Sequence, residues 1–360
     1  MSNGEPTRYR RAVRIHGFQW GLSRVLGATL MALLAGAGMA MLAQHLWEQN
    51  DRHRYPAPGT TYDVGGYRLH LNCLGDGSPT VVLEAAVGEW SIHWLPVMAR
   101  LAPHARVCAY DRAGYGWSEV GPRPRDAAHL AADLSALLRA AREDGPLVLA
   151  AHGEGAVVAG AFIARHPDRV LSLVLVDAAT PEFTPLAEAH RSRLLRHVQH
   201  ALPWAHFGAA HFLGLPPGVT PPPQTETFSR HLRYPGYYET VAAEFHWLLH
   251  QAYPARTYSP DPARPRFVLY RETPVVAASA AGLPQGWTAE GYNTTWNKAQ
   301  AALAEGAVDL PVPGAPGNLL LDQPERVADT VLRALQAARN KKQPEIAPQI
   351  TPGTGPGTAK

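Results

Sequence analysis

The stretch Pro146-Leu-Val-Leu-Ala-Ala-His-Gly-Glu-Gly-Ala156 carries the strongest local signal in this chain of 360 residues. Its apolar run, Leu147 to Ala151, predicts a buried strand, and the residues from about Glu154 to Arg165 predict a helix. Small residues, Ala151 and Gly155, stand two positions before and two positions after the apex of the intervening turn. This spacing lets the helix pack closely on the strand, so the stretch predicts a tight strand–turn–helix unit.

The turn matches the G-x-S-x-G nucleophile elbow except at the position that carries the chemistry. Gly153 occupies the apex, where the motif has a nucleophilic serine, and Ala151 replaces the first glycine. An elbow apex has a strained backbone that costs an ordinary residue roughly 1–3 kcal/mol, whereas glycine adopts it almost freely. Gly153 therefore keeps the turn but supplies no attacking oxygen. Taken alone, the stretch fits a generic glycine-rich turn equally well.

The composition is that of a globular protein, with 46% hydrophobic residues, 18% charged residues and a formal net charge of +3. No basic stripe interleaved with aromatic residues is present, so nucleic-acid binding is not expected. The histidines are scattered along the chain, and the sequence predicts neither a dedicated metal site nor a cofactor. The length allows one large domain or two smaller ones.

The N-terminal segment has the pattern of a membrane anchor. Residues 1–24 are basic and are expected in the cytoplasm by the positive-inside rule. The run Val25–Ala43 carries no charge and is long enough to cross a bilayer, so residues 25–46 are predicted to form a single transmembrane helix. The folded domain would then lie outside the cytoplasm, in the periplasm of a two-membrane bacterium. The alternative is a cleaved signal peptide, with Gly38-Met-Ala40 as its cleavage site.

The pattern changes after a polar, proline-bearing linker predicted at residues 47–59. The predicted strands are Thr61–Val64, Tyr67–Leu74, Thr80–Ala85, Arg106–Tyr110, Leu147–Ala151, Leu171–Val176, Arg266–Tyr270 and Ala307–Pro311. The predicted helices are Ser91–Leu101, Asp126–Ala141, Gly155–His166, Thr294–Ala304 and Pro324–Arg339. A hairpin followed by alternating strands and helices predicts an α/β fold, with an eight-stranded, mostly parallel sheet covered by helices on both faces.

Residues 183–265 interrupt this alternation and are predicted to form a helical cap over the carboxyl edge of the sheet. The core then comprises residues 60–182 and 266–340, and the proline- and glycine-rich residues 341–360 are predicted to be a disordered tail. The cap aromatics fit an ordinary helical core or an apolar small-molecule ligand. They are Trp204, Phe207, Phe212, Tyr237, Tyr238, Phe245 and Trp247.

Six segments, in this order and at these separations, resemble the α/β-hydrolase superfamily. They are Gly65-Gly-Tyr-Arg-Leu-His-Leu-Asn-Cys73, Val82-Leu-Glu84, Tyr110-Asp-Arg-Ala-Gly-Tyr-Gly-Trp-Ser118, His166-Pro-Asp-Arg-Val170, Leu173-Val-Leu-Val-Asp-Ala178 and Leu321-Asp-Gln-Pro-Glu325. The resemblance covers roughly Thr60 to Arg339 and implies an α/β-hydrolase fold. Within the superfamily, the sequence most resembles membrane-anchored or secreted bacterial members with a short first hairpin and a cysteine in the second strand.

The superfamily's sheet order implies that the second strand lies beside the fourth, which brings Cys73 near Cys108. These are the only two cysteines of the chain, and an extracytoplasmic domain would permit a disulfide between them. Two buried free thiols remain the alternative.

The resemblance also implies a serine-triad mechanism, with a serine nucleophile, a histidine base, an orienting acid and backbone donors for the oxyanion. Gly153 takes the serine position. The histidine position, about seven residues before Pro324, falls on Gly317, and no histidine follows His250. The acid position is Asp177, with Glu272 as the alternative.

The oxyanion donors implied by the resemblance are the N–H groups of Val87 and Glu154. With neither nucleophile nor base, we expect a non-catalytic binding or accessory protein. Its expected partners are a membrane protein, through the transmembrane helix or cap, or an apolar small molecule. The alternative is a hydrolase of ester or lipid-like substrates that uses relocated residues such as Ser91 and His93. His152 is expected to face away from the site.

Overall fold

Eight strands form the centre of the molecule. The computed structural model describes residues 7–180, 198–208, 222, 224–250, 264–273, 287–314 and 317–342. The strands are β1 (Thr60–Asp63), β2 (Arg68–Leu74), β3 (Thr80–Glu84), β4 (Val107–Tyr110), β5 (Leu147–His152), β6 (Val170–Val176), β7 (Arg266–Arg271) and β8 (Val308–Val312). Their order is β1-β2-β4-β3-β5-β6-β7-β8, with β2 antiparallel to both of its neighbours and the other pairs parallel. The predicted eight-stranded, mostly parallel sheet is confirmed.

Helices cover both faces of this sheet. They are α1 (Thr7–Arg54), α2 (Ser91–Leu101), α3 (Ala127–Ala140), α4 (Gly155–Arg165), α5 (198–205), α6 (Thr225–His231), α7 (Pro235–His250), α8 (Ala289–Leu303), α9 (Leu319–Asp322) and α10 (Pro324–Lys342). α8 begins earlier than the apolar pattern indicates, at a Thr288 N-cap whose hydroxyl accepts the N–H of Gly291.

The alternation of side chains along β5 divides the core into two layers. Leu147, Leu149 and Ala151 pack in one cluster with residues of α3, α4 and α8. Val148 and Ala150 pack in a second cluster with residues of α2, α9 and α10. Every residue of β5 is buried, as expected for a central parallel strand covered on both faces.

The described part of the cap forms a core of its own. Tyr237, Tyr238 and Phe245 of α7 are buried in one cluster with Trp90 and Phe228. Trp204 and Phe207, by contrast, are exposed. Phe212 and the predicted tail from residue 343 onward lie outside the described residues.

The N-terminal helix is longer than the sequence indicates. α1 continues to Arg54, so residues 47–54 of the predicted linker are helical. Two contacts stabilise this extension. Asp51 is buried and lies 3.7 Å from Arg230 of the cap, and Arg52 pairs with Glu48 one turn earlier at 2.9 Å. The helix ends just before Pro56, which disfavours a helical conformation at Tyr55.

Cys73 and Cys108 occupy paired positions on the neighbouring antiparallel strands β2 and β4. A disulfide joins them, with their Cα atoms 4.1 Å apart. It closes a segment of 35 residues that includes β3 and α2.

A buried charge network connects the cap to the sheet. Glu244 of α7 accepts hydrogen bonds from Arg112 at 3.0 Å, Arg125 at 2.7 Å and Tyr115 at 3.0 Å. Arg112 also pairs with Glu84 at 2.6 Å. Burial by itself would raise the pKa of Glu244, but the two guanidinium charges outweigh burial and lower it, so this carboxylate is ionised.

Candidate functional site

The strand–turn–helix unit at Gly153 has the geometry of an elbow. Gly153 has φ +53°, in the left-handed region that favours glycine. A Cβ at Gly155 would lie 2.4 Å from the main-chain oxygen of Ala85. The packing of α4 against the loop after β3 therefore requires glycine at position 155, as the spacing of small residues predicts.

The apex position has no room for a larger side chain in this conformation. A Cβ at Gly153 would lie 2.9 Å from the Cβ of Ala86, in the loop after β3. Real Cβ atoms essentially never approach so closely. A serine here would therefore require the Ala86 loop to shift, in addition to bearing the strain of a positive φ.

A carboxylate, an imidazole and an amide meet beside this turn. Glu89, from the loop after β3, lies 2.7 Å from Nδ1 of His152, at the end of β5. Its other oxygen accepts the side-chain N–H of Asn318 at 2.7 Å. His152 thus points toward the loop after β3, beside the Gly153 turn, which corrects the prediction that it faces away from the site. The reason is that Glu89 supplies a partner that the strand pattern alone does not reveal.

Burial and neighbouring charges have opposite effects on the pKa of each member of this pair. Burial would raise the pKa of Glu89, but the positive charges of His152 and His93 and the hydrogen bonds from His152 and Asn318 lower it to about 2. Burial would lower the pKa of His152, but the charge and hydrogen bond of Glu89 outweigh it and raise the pKa. The site therefore holds a carboxylate and a readily protonated imidazole.

We expect the stabilising effect of this pair to depend on pH. The Glu89 contribution is complete above its usual pKa of 4.5 and is lost as the pH falls toward its folded pKa of about 2. The His152 contribution is complete below its usual pKa of 6.5 and is lost as the pH rises through its raised folded pKa. The difference in unfolding free energy between wild type and Glu89→Gln should therefore be largest roughly between pH 4.5 and 6.5.

Denaturant unfolding of the two proteins across a pH series measures this difference. Glu239→Gln, which alters a half-exposed acid of α7, is the control and should change the unfolding free energy by at most about 1 kcal/mol at each pH. A difference for Glu89→Gln that stays constant from pH 3 to pH 9 would contradict the ion pair.

The acid position is occupied, and its carboxylate is paired with an arginine. Asp177, just after β6, is buried and has φ +45°. Its two oxygens accept the main-chain N–H of Arg271 at 2.9 Å and the Nε–H of the same residue at 2.7 Å. Arg271 also donates to the main-chain oxygen of Gly317. An arginine thus bridges the two segments that an acid–histidine pair joins in a serine triad.

The loop after β8 brings Asn318, rather than position 317, toward the site. Gly317 has φ +97°, and a Cβ there would lie 2.1 Å from Oδ2 of Asp322. That oxygen accepts the main-chain N–H of Asn318 at 2.8 Å. The side chain that reaches Glu89 therefore belongs to the residue after the one indicated by the sequence register, and it is an amide that cannot act as a base at neutral pH.

Substitution of Gly317 tests this loop geometry. Gly314 also has a positive φ, at +63°, but a Cβ there meets nothing within 4 Å. Gly314→Ala should cost about 1 kcal/mol from backbone strain. Gly317→Ala should cost about 2–3 kcal/mol, because the Asp322 hydrogen bond to the main chain is lost as well. Equal unfolding free energies for the two variants in denaturant titrations would argue against this loop structure.

The remaining sequence-predicted residues take separate positions. Val87 is half-buried and packs against the apolar side chains of Val157 and Ala179. Glu154 is at the N-cap position of α4. Glu272 follows β7, and its N–H donates to the main-chain oxygen of Val312.

The candidate relocated residues Ser91 and His93 do not hydrogen-bond to each other, and the Ser91 hydroxyl is buried without a hydrogen-bond partner among the described residues. Ser91 donates its main-chain N–H to Asp111 at 2.9 Å. Nδ1 of His93 lies 3.3 Å from the main chain of Trp90. The structure therefore does not join the two into a nucleophile–base pair.

A serine–histidine contact does occur elsewhere in the described residues. Ser135 of α3 lies 2.8 Å from Nε2 of His166, at the end of α4 away from Gly153. The hydroxyl of Ser135 donates to the main-chain oxygen of Ala131, so it accepts from the imidazole. With α4 about 16 Å long, this pair is distant from the elbow.

Two groupings have metal-ligand chemistry. Cys73, Cys108 and Glu143 place possible ligand atoms within 4.8 Å of one another, but the sulfurs are joined to each other and Glu143 pairs with Arg106. His246 and His250 have the four-residue spacing of a helical metal pair, a signal absent from the sequence prediction. Only His246 of the two has a described side chain, and it is exposed. The cysteine grouping lies on the β2–β4 pair, which β3 separates from the elbow strand β5.

Sheet order, elbow and loop positions together define an α/β-hydrolase-fold protein. A family model described as alpha/beta hydrolase fold matches residues 79–201, and solved hydrolases superpose on most of the chain. The chain belongs to the α/β-hydrolase superfamily, as its sequence segments predict.

Similar proteins include characterised hydrolases and a membrane enzyme. An uncharacterized protein of Schizosaccharomyces pombe is 33% identical over 175 residues, which are 40% of this chain and 32% of that protein. The 2-hydroxy-6-oxo-2,4-heptadienoate hydrolase of Pseudomonas putida is 33% identical over 131 residues, 33% of this chain and 44% of that enzyme. The chain thus matches less than half the length of either relative. A bacterial membrane phospholipase A superposes with a TM-score of 0.56 at 19% identity, covering 90% of this chain and 99% of the other, which shows a shared fold.

Proposed function

We propose that this chain is a membrane-anchored α/β-hydrolase-fold protein without serine-triad catalysis, acting as a binding or accessory protein. One observation carries the proposal. The three expected triad positions hold Gly153, Gly317 and an Asp177 carboxylate paired with Arg271. None of these groups can attack a carbonyl and pass its proton to a histidine.

The energetics of triads support this proposal. Triad members act as a unit, so the loss of the nucleophile or the base alone removes most of the rate acceleration. What a scaffold keeps after both losses is its pocket and its main-chain donors, here proposed as Val87 and Glu154. Such a site binds a carbonyl compound or an apolar ligand without turning it over.

Membrane anchoring completes the proposal. Among the described residues, Ser23–Arg54 is the one helical segment long and apolar enough to cross a bilayer. The arginines before it favour a cytoplasmic N-terminus, with the folded domain outside, in a periplasm where the host has one. The Cys73–Cys108 disulfide supports this orientation, since disulfides persist in oxidising compartments. The proposed partner is a membrane protein that contacts the transmembrane helix or the cap.

A fluorophosphonate probe tests the absence of an activated nucleophile. The full chain in detergent is incubated with the probe beside a catalytically active serine hydrolase and a heat-denatured sample. We expect labelling of this chain to equal that of its heat-denatured sample. Labelling that heat abolishes and that maps to a serine of this chain would overturn the proposal.

The second candidate is a hydrolase that activates water with Glu89 and His152. The observation that favours it is their 2.7 Å contact beside the Gly153 turn, with side chains that are 14% and 10% exposed. The similarity to the P. putida hydrolase is consistent with it. A carboxylate or imidazole can act as a general base toward water. This candidate predicts ester turnover that Glu89→Gln abolishes. It also predicts that the fluorophosphonate probe does not label the protein.

A further inference from the structure

The apolar run of α1 ends where the folded body begins. Val25–Ala43 spans about 28 Å at 1.5 Å per residue, close to the roughly 30 Å hydrocarbon core of a bilayer. The next residue, Gln44, is only 3% exposed. Its side-chain N–H donates to the main-chain oxygen of Arg233, in the turn between α6 and α7, at 3.1 Å. The cap therefore contacts the helix at the first residue beyond the apolar run.

The contact continues along the rest of α1. Asp51 is also 3% exposed and lies 3.7 Å from Arg230 of α6. The guanidinium of Arg52 lies over the ring of Tyr234, 5.3 Å from its centroid. Because α1 is one continuous helix packed on the cap, no flexible segment separates the cap from the end of the apolar run.

Three large aromatic side chains are exposed near the contact between α1 and the cap. Trp47 is 45% exposed, Trp204 63% and Phe207 40%. A Cβ at Gly208 would lie 3.1 Å from the Trp47 ring, so the main chain after Phe207 packs on that ring. The N–H of Phe207 donates to the oxygen of Trp204 in the turn that ends α5. The three residues are therefore neighbours, one from α1 and two from the cap.

We propose that these residues, the juxtamembrane aromatic patch, contact the headgroup layer of the bilayer that α1 crosses. Tryptophan and phenylalanine side chains are favoured at the boundary between headgroups and acyl chains. Trp47 stands within one turn of the end of the apolar run, which places it at that boundary. The packing of Gly208 on Trp47 carries Trp204 and Phe207 to the same depth. The patch thus holds the cap on the membrane surface. This inference rests on the proposed anchoring by α1.

Quenching by brominated lipids tests the patch. The full chain is reconstituted in phosphatidylcholine vesicles, either unmodified or with bromines on the acyl chains near the headgroups. The emission of Trp204 is the difference between wild type and Trp204→Phe. We expect it to fall by roughly half or more in brominated vesicles, since interfacial side chains lie about 5–10 Å into the headgroup and acyl boundary.

Trp287→Phe is the matched control, because Trp287 is also exposed, at 38%, but precedes α8 beside β7. Its difference emission should be equal in the two kinds of vesicle. Unquenched Trp204 emission in protein that resists alkaline extraction would overturn the patch while leaving the anchor intact. A blue-shifted, unquenched Trp204 would indicate a covering protein, such as a second copy, and would also overturn it. Release of the protein by alkali would overturn both anchor and patch.

Discussion

Glu244→Ala is expected to destabilise the protein by about 3–5 kcal/mol, because it leaves two buried guanidinium groups without their shared carboxylate. Glu244 is fully buried and accepts hydrogen bonds from Arg112, Arg125 and Tyr115. Arg112 also donates to the main-chain oxygens of Ala85 and Ala86, at 2.6 and 2.9 Å. The loss should therefore loosen the loop beside Gly153 as well as the contact between cap and sheet.

Urea unfolding of the full chain in a mild detergent, followed by tryptophan fluorescence, measures the effect. Glu239→Ala is the matched control, because Glu239 is an acid of the same helix whose ion pair with His206 is half-exposed. An exposed pair of this kind contributes about 0–1 kcal/mol. If Glu244→Ala costs no more than Glu239→Ala, the buried network does not connect the cap to the sheet.

Removal of the disulfide is expected to cost about 4 kcal/mol. The bridge closes a segment of 35 residues, and the loss of chain entropy in the unfolded state scales with the logarithm of that length. Cys73→Ala with Cys108→Ala should therefore unfold at a much lower urea concentration than oxidised wild type. The reason lies in the unfolded chain, since β2 and β4 retain their backbone pairing in either case.

A reducing agent provides the internal control. It should lower the unfolding midpoint of wild type toward that of the double variant and leave the double variant unchanged. A wild-type midpoint that is insensitive to reduction, in a sample whose thiols are shown to be free, would contradict a stabilising bridge.

The sequence predicts the sheet well because its signals are local. Fully apolar runs such as Leu147–Ala151 mark buried parallel strands, and β5 is buried throughout. The sequence also predicts where glycine is required. At Gly155, for example, a Cβ would lie 2.4 Å from the main-chain oxygen of Ala85. The tight turn at Gly153, which has φ +53°, is also predicted from the local sequence, whereas its interpretation as an elbow needs the surrounding segments.

The sequence predicts too early an end for α1, because a polar, proline-bearing composition is typical of a linker. Polar residues such as Gln44 and Asp51 are compatible with a helix when a partner surface buries one side of it. That surface comes from the cap, far away in sequence. Residues 47–54 of the predicted linker are therefore helical. The helix ends two residues before Pro56.

The composition of the site depends on contacts between distant segments. Glu89 is absent from the sequence prediction, although an acid in the loop after β3, close to the elbow, is a signal that could have indicated it. Its partners His152 and Asn318 lie 63 and 229 residues away, and nothing local pairs them. The pairing of Asp177 with Arg271 spans 94 residues and is invisible for the same reason.

The loop after β8 illustrates a smaller limit. Counting back from Pro324 indicates Gly317 as the histidine position, and the side chain that contacts Glu89 is that of the next residue, Asn318. The positive φ at Gly317 and the Asp322 carboxylate beside it shape this loop. Turns of this kind, rather than the spacing of motifs, determine which residue of a loop faces a given neighbour.

Hydrolysis of short p-nitrophenyl esters by the full chain most directly tests whether a reacting group remains in this scaffold. Wild type, Glu89→Gln and heat-denatured wild type are compared in the same detergent at pH 7. Absence of catalysis predicts p-nitrophenolate release at the same rate in all three samples. A wild-type rate above the heat-denatured sample, lost in Glu89→Gln, would contradict it and assign the chemistry to the Glu89–His152 pair.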